Sequence, residues 1–213
     1  MMEIKKIIAG VYGVNCYILF DELSKETAVI DPGGDEQEII KEIDKLSGKI
    51  KYIILTHGHF DHTGGVYGLV KKYDAKLLIN KKDEDLVFGK EKIYGPYSQD
   101  GSLIKADFYV KDGDEFYLGK NKITSIETPG HTPGGMSYYI DGNLFSGDTL
   151  FLLSVGRYDL YGGDYNLLIT SIKDKLFKLP EDTIVYTGHG PKTLIKNEKK
   201  FNEFVKWRYY LIT

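Results

Sequence analysis

Residues 56–62 read Thr56-His57-Gly58-His59-Phe60-Asp61-His62, and three of the chain's five histidines fall inside this short stretch. Imidazole nitrogen and carboxylate oxygen are donors that zinc and similar ions take, and a tight turn at Gly58 brings four such side chains around one small volume. The run Ile50–Leu55 just before it is almost continuously apolar, as a strand covered on both faces should be, and a helical stretch from about Gly65 to Tyr73 follows. The order of strand, donor-rich turn and helix predicts metal binding at a strand end rather than a histidine-rich surface turn.

The remaining candidate ligands stand in the same kind of place. His131 lies in Thr128-Pro129-Gly130-His131-Thr132-Pro133-Gly134, after an expected strand at Lys122–Glu127. Asp148 lies in Phe145-Ser146-Gly147-Asp148-Thr149, after Asn143–Phe145, and His189 in Tyr186-Thr187-Gly188-His189-Gly190-Pro191, after Thr183–Tyr186. Groups that follow the carboxyl ends of different strands can converge on one edge of a sheet. No histidine is left over.

Further out, strands are expected at Ile4–Ala9, Cys16–Phe20, Thr27–Ile30 and Met136–Ile140, each bounded by turn-forming residues. Asp35 is the expected N-cap of a helix with Ile39, Ile40, Ile43 and Leu46 on one face, and a second helix is expected from Asp164 to Leu179. Strand groups recur in both halves with helices between them, which favours two sheets packed face to face with helices outside over one doubly wound sheet. The segment Leu86–Ala106 is irregular and reads as a surface loop or lid, with Tyr94 and Tyr97 as candidates for the mouth of a site. The chain reads as one domain over residues 1–213. Residues 192–213 are expected to form a short helical tail, with Trp207, Tyr209 and Tyr210 as packing residues.

Composition narrows the functions available. With 42% hydrophobic and 28% charged residues, 213 residues suit one globular core. A net charge of -3 supplies no basic field for nucleic acid or an anionic membrane. No apolar run reaches the roughly 18 residues of a spanning helix, and the N-terminal stretch lacks a cleavage signal. The single cysteine, Cys16, lies in an apolar run and reads as a buried strand thiol, which fits a reducing, cytoplasmic setting.

In order and spacing these residues resemble the metallo-β-lactamase superfamily over nearly the whole chain. Within it the likeness is to glyoxalase II and its short bacterial relatives, carried by Asp31-Pro32-Gly33-Gly34, Ser146-Gly147-Asp148-Thr149-Leu150-Phe151 and Gly188-His189-Gly190-Pro191. Gly156-Arg157 and Gly162-Gly163-Asp164 favour the short relatives. The resemblance implies an α/β fold, the αββα four-layer sandwich. It also implies two divalent ions, zinc first and iron or manganese on the same donors. His57, His59 and His131 would hold one ion, Asp61, His62 and His189 the other, with Asp148 bridging them.

The implied function is a metal-dependent hydrolase acting on a small-molecule thioester, hydroxyacylglutathione or an ester of a related thiol. Two ions about 3.5–4 Å apart can share a water, lower its pKa and set the resulting hydroxide beside a polarised carbonyl. Asp61 would orient that hydroxide as the catalytic carboxylate, and Arg157 and Tyr158 would meet the substrate's carboxylate end. Full-length glyoxalase II enzymes add a C-terminal helical domain that helps hold glutathione, and little chain follows Pro191 here. The alternatives are an iron persulfide dioxygenase, which the same histidine motif and Gly156-Arg157 allow, and a hydrolase of another ester or lactone. A metal-stabilised binding module is disfavoured, because seven mixed ligands for two ions leave open positions.

Overall fold

In the strand Val14–Asp21 every residue is buried, although side chains on a strand alternate between its faces. Cys16 and Ile18 pack into one apolar cluster, Tyr17 and Leu19 into another, so both faces of this strand are covered. The computed structural model describes residues 2–88 and 105–206, and it extends that arrangement to two whole sheets.

The first sheet has six strands in sequence order: β1 (Met2–Ala9), β2 (Val14–Asp21), β3 (Glu26–Ile30), β4 (Lys49–Ile54), β5 (Lys76–Ile79) and β6 (Phe108–Tyr109). The first three form an antiparallel meander, and β3 to β6 run parallel. The second sheet carries β7 (Glu115–Leu118), β8 (Asn121–Glu127), β9 (Met136–Ile140), β10 (Asn143–Gly147), β13 (Ile184–Thr187) and β14 (Thr193–Leu194), in the order β14-β13-β10-β9-β8-β7. A short hairpin of β11 (Leu150–Phe151) and β12 (Ser154–Val155) stands apart from both.

Three apolar layers define the stack. Ile39, Ile40 and Ile43 of α1 (Glu36–Lys45) and Val66 and Leu69 of α3 (Val66–Tyr73) pack on the outer face of the first sheet. Between the sheets, Leu19, Ile30 and Ile54 meet Ile123, Tyr138 and Phe145. Leu168, Ile169 and Ile172 of α5 (Tyr165–Asp174) cover the second sheet with Ile195 of α6 (Ile195–Phe201) and Val205 of α7 (Glu203–Lys206). Helix, sheet, sheet, helix is the αββα sandwich expected. Deleting a ring such as Phe145, fully enclosed between the sheets, would cost about 3–5 kcal/mol.

Several details differ from expectation. Asp35 precedes α1, but its carboxylate makes no cap bond; it accepts from the Gly10 amide, tying the helix start to the β1–β2 turn. The helix after Asp164, whose carboxylate caps it by accepting from the Leu167 amide, ends at Asp174, and Leu176–Lys178 continue as a single 3-10 turn. Residues 192–206 include strand β14 as well as helix, because Thr193 and Leu194 pair with β13. Helix α4 (Glu84–Phe88) occupies the start of the segment read as irregular. Tyr94, Tyr97, Trp207, Tyr209 and Tyr210 lie outside the described residues. Cys16 is buried in its strand as expected, and burial pushes its thiol pKa far up. Among the described residues no helix is long and apolar enough to cross a membrane.

Candidate metal centre

The parallel pairing of β3 with β4, and of β10 with β13, brings the carboxyl ends of four strands to one edge of the sandwich. His57, His59, Asp61 and His62 leave the end of β4, with Phe60–Thr63 as the short helix α2. Asp148 follows β10, His189 follows β13, and His131 lies on the loop from β8 to β9. All seven predicted ligands converge there.

Donor atoms here form three close groups, one of them joining His57 and His62 to Asp31, and two made of predicted ligands alone. His57, His59 and His131 place one ligand atom each within 4.8 Å of the others, and so do Asp61, His62 and His189. Asp148 stands between the groups: Oδ2 is 3.6 Å from His131 Nε2 and 3.7 Å from His189 Nε2, and Oδ1 is 3.4 Å from His62 Nε2. Asp61 Oδ2 lies 3.3 Å from His189 Nε2 on the open side.

The donor chemistry fits a pair of cations. His131 Nε2 faces His59 Nδ1 at 2.9 Å, and His62 Nε2 faces His189 Nε2 at 3.3 Å. His57 Nε2 is buried with no hydrogen-bond partner. Lone pairs aimed at one another in a buried space match the ligands of a cation better than those of a hydrogen-bonded core. For His57 and His59 the protonation balance agrees. Burial, aided by repulsion from the neighbouring imidazoles, holds His57 well below its ordinary pKa and lowers His59 to about 4, so both are neutral donors at pH 7. For Asp148, burial acts upward but the attraction of His62 outweighs it and keeps the carboxylate ionised. His189 is raised by its hydrogen bond to Asp61.

A second layer of groups, mostly unread in the sequence, aims these donors. Asp31, at the end of β3, accepts from the Thr56 amide at 2.8 Å and hydroxyl at 2.6 Å and lies 2.9 Å from His62 Nδ1. That contact turns His62 Nε2 to the centre. Its signal was present: Asp31-Pro32-Gly33-Gly34 follows a predicted strand that proves parallel to the one before His57. Asn15 Nδ2 donates to the carbonyls of Thr187 and Gly190, and Tyr17 Oη donates to Thr187, fixing the His189 loop from β2. Nothing local in the sequence around Asn15 marks that role.

Two glycines are required by close approach. A Cβ on Gly188 would sit 2.1 Å from Asp148 Oδ1, and one on Gly156 would sit 1.7 Å from the Asp148 carbonyl oxygen. The fit at Gly156 lets the next carbonyl, that of Arg157, accept from His131 Nδ1 at 2.6 Å.

Arg157 thus meets the centre through its backbone. Its guanidinium, on a side chain 67% exposed, forms a forked pair with Asp159 at 3.0 Å while also lining the cavity. Tyr158 packs edge-on against Tyr165 and is not among the residues lining that cavity. The cavity measures about 560 Å³. Its floor is His59, Asp61, His131, Asp148 and His189; Tyr12, Phe60, Phe151, Val155 and Leu160 form apolar walls.

Comparison with known proteins agrees with this architecture. The family model described as Metallo-beta-lactamase superfamily matches residues 9–189. The chain is 34% identical to the hydroxyacylglutathione hydrolase GloC of Haemophilus influenzae, over 96% of this chain and 98% of that one. It is 33% identical to the probable metallo-hydrolase YqgX of Bacillus subtilis, again over 96% and 98%. Among solved structures, the BLEG-1 B3 metallo-beta-lactamase superposes with a TM-score of 0.88 at 35% identity, covering 96% of this chain and all of that one. TTHA1623 in a di-iron-bound form superposes at 0.80 with 31% identity, over 94% and 99%. Sharing both the sandwich and near full-length similarity with these proteins, the chain belongs to the metallo-beta-lactamase superfamily.

Proposed function

We propose that this protein hydrolyses thioesters of a low-molecular-weight thiol, with hydroxyacylglutathione-type esters as the first candidates. The observation that carries the reading is the meeting of two donor triads over Asp148 at the floor of an open cavity. Similarity to GloC along the whole chain supports the substrate class.

His57, His59 and His131 would hold one divalent ion, Asp61, His62 and His189 a second, and Asp148 would contact both. Bound there, such ions supply Lewis acidity and a water of lowered pKa.

The chain's own groups do the rest. Asp61 is held ionised, its hydrogen bond to His189 outweighing burial, and lines the cavity, where its carboxylate would accept a hydrogen bond from the attacking oxygen and orient it. Tyr12 and Phe60, packed edge to face at 5.4 Å, and Phe151 beside His189 exclude bulk water from the acyl group. A thiolate leaves without a strong general acid, which suits a site whose histidines are all in the centre. The Arg157 guanidinium at the rim can exchange Asp159 for a substrate carboxylate at little cost, since water screens so exposed a pair.

The test is thiol release from a panel of acyl thioesters, with β-lactam, lactone and persulfide substrates beside them, on protein of measured metal content. Hydrolysis of thioesters that chelation abolishes and zinc restores is the expected result. Turnover of a β-lactam alone, or oxygen uptake with persulfide by a one-iron protein, would replace this reading.

A further inference from the structure

Asp83 is a buried carboxylate outside the ligand set, on the single 3-10 turn Lys81–Asp83 that follows β5. Its Oδ2 accepts from the Gly58 amide at 2.9 Å and the Thr132 hydroxyl at 2.7 Å, and its Oδ1 accepts from the Gly134 amide at 2.6 Å. Gly58 separates His57 from His59, and Thr132 follows His131. One carboxylate therefore ties the turn carrying two members of the first triad, which leaves the first sheet, to the loop carrying the third, which belongs to the second sheet.

We propose that Asp83 is a positioning residue that sets the spacing of His57 and His59 against His131, and so governs metal affinity at that triad in preference to the Asp61, His62, His189 triad. The proposal rests on the two-ion reading above. An amide cannot replace the carboxylate, because it offers one acceptor oxygen. Either the Gly134 amide or the Gly58 and Thr132 donors would then face an NH2 group.

A control exists at the end of β2. Asp21 has little exposed surface, though its bonds lie nearer solvent than those of Asp83, and accepts from the Ser24 amide at 3.0 Å, the Ser24 hydroxyl at 2.7 Å and Asn121 Nδ2 at 3.2 Å, also joining the two sheets. It touches no metal-centre loop.

The experiment measures zinc and cobalt dissociation constants by chelator competition, together with the melting temperature of the metal-stripped protein. Unmodified protein is compared with Asp83→Asn, Asp21→Asn and His59→Ala. Asp21→Asn is expected to lower the melting temperature and leave both binding steps unchanged. Asp83→Asn is expected to weaken by about tenfold or more the one step that His59→Ala abolishes, and to leave the other within about twofold. Thr132→Val removes one of the three bonds and gives a smaller shift of the same step, which serves if Asp83→Asn fails to fold. Metal binding by Asp83→Asn and Thr132→Val like that of the Asp21 variant would overturn the proposal alone. Absence of metal binding by the unmodified protein would overturn the two-ion reading with it.

Discussion

Asp31 Oδ2 lies 2.9 Å from His62 Nδ1, with both side chains buried, and the same carboxylate accepts two bonds from Thr56. One residue thus orients a ligand and anchors the backbone just before His57. Asp31→Ala is expected to lower metal affinity by about 10–100-fold, as loss of a ligand's outer partner does. It also leaves the Thr56 amide buried without its acceptor, at about 1–3 kcal/mol of stability. Chelator competition and denaturant unfolding of the stripped protein separate the two effects; a variant with parental metal affinity would contradict the role assigned to Asp31.

Asp148 faces both triads, so its removal disturbs both groups of donors at once. Asp148→Ala and His59→Ala are each expected to lose metal and thioester turnover together, by elemental analysis and thiol release on the same sample. Full turnover from metal-free variant protein would sink the metal-dependent mechanism.

Gly188 has no room for a methyl group against Asp148 and His62 Cε1, the latter at 2.9 Å from an added Cβ. Gly188→Ala is expected to displace the Asp148 carboxylate and lower turnover by at least about tenfold. Overpacking would also cost about 1–3 kcal/mol of stability. Gly113→Ala is the comparison, since nothing lies within 4 Å of a Cβ there, although its positive φ adds backbone strain. Equal turnover in the two variants would show that the close approach at Gly188 is unimportant.

In metal-stripped protein the histidines give a pH dependence of known sign. His59 falls to about 4 in the fold through burial and His131, and His57 is lowered too, so below the ordinary value of 6.5 the unfolded chain takes up protons that the folded chain refuses. Stability present above 6.5 is lost as pH falls towards 4, by about 3 kcal/mol for His59 alone. His62 moves the other way: burial opposes, but Asp148 and Asp31 raise it. Its contribution is complete below 6.5 and is lost as pH rises through its folded value, so it does not offset the fall. Denaturant unfolding of chelated protein at pH 7 and pH 5 should show the decrease; constant stability would contradict it.

Much of this site was legible because its donors cluster in sequence. His57 to His62 are neighbours on one turn, and His131, Asp148 and His189 each follow a strand whose apolar pattern is readable. The apolar run Cys16–Phe20 and the almost continuous one Ile50–Leu55 likewise mark strands covered on both faces, which a sandwich requires. Short edge elements such as β7 and β14 were missed, because two to four residues carry too little periodicity to stand out.

The sequence by itself determined which residues can ligand a metal and that two covered sheets carry them, since donor type and burial pattern are local properties of the chain. Only the tertiary structure decided what aims those ligands. Asp31, Asp83 and Asn15 act across 25 to 175 positions through strand register and sheet packing. Arg157 acts on His131 through a carbonyl, and every residue has one. Roles of that kind depend on where the backbone passes, and hydrogen bonds between distant segments leave no pattern in either segment alone.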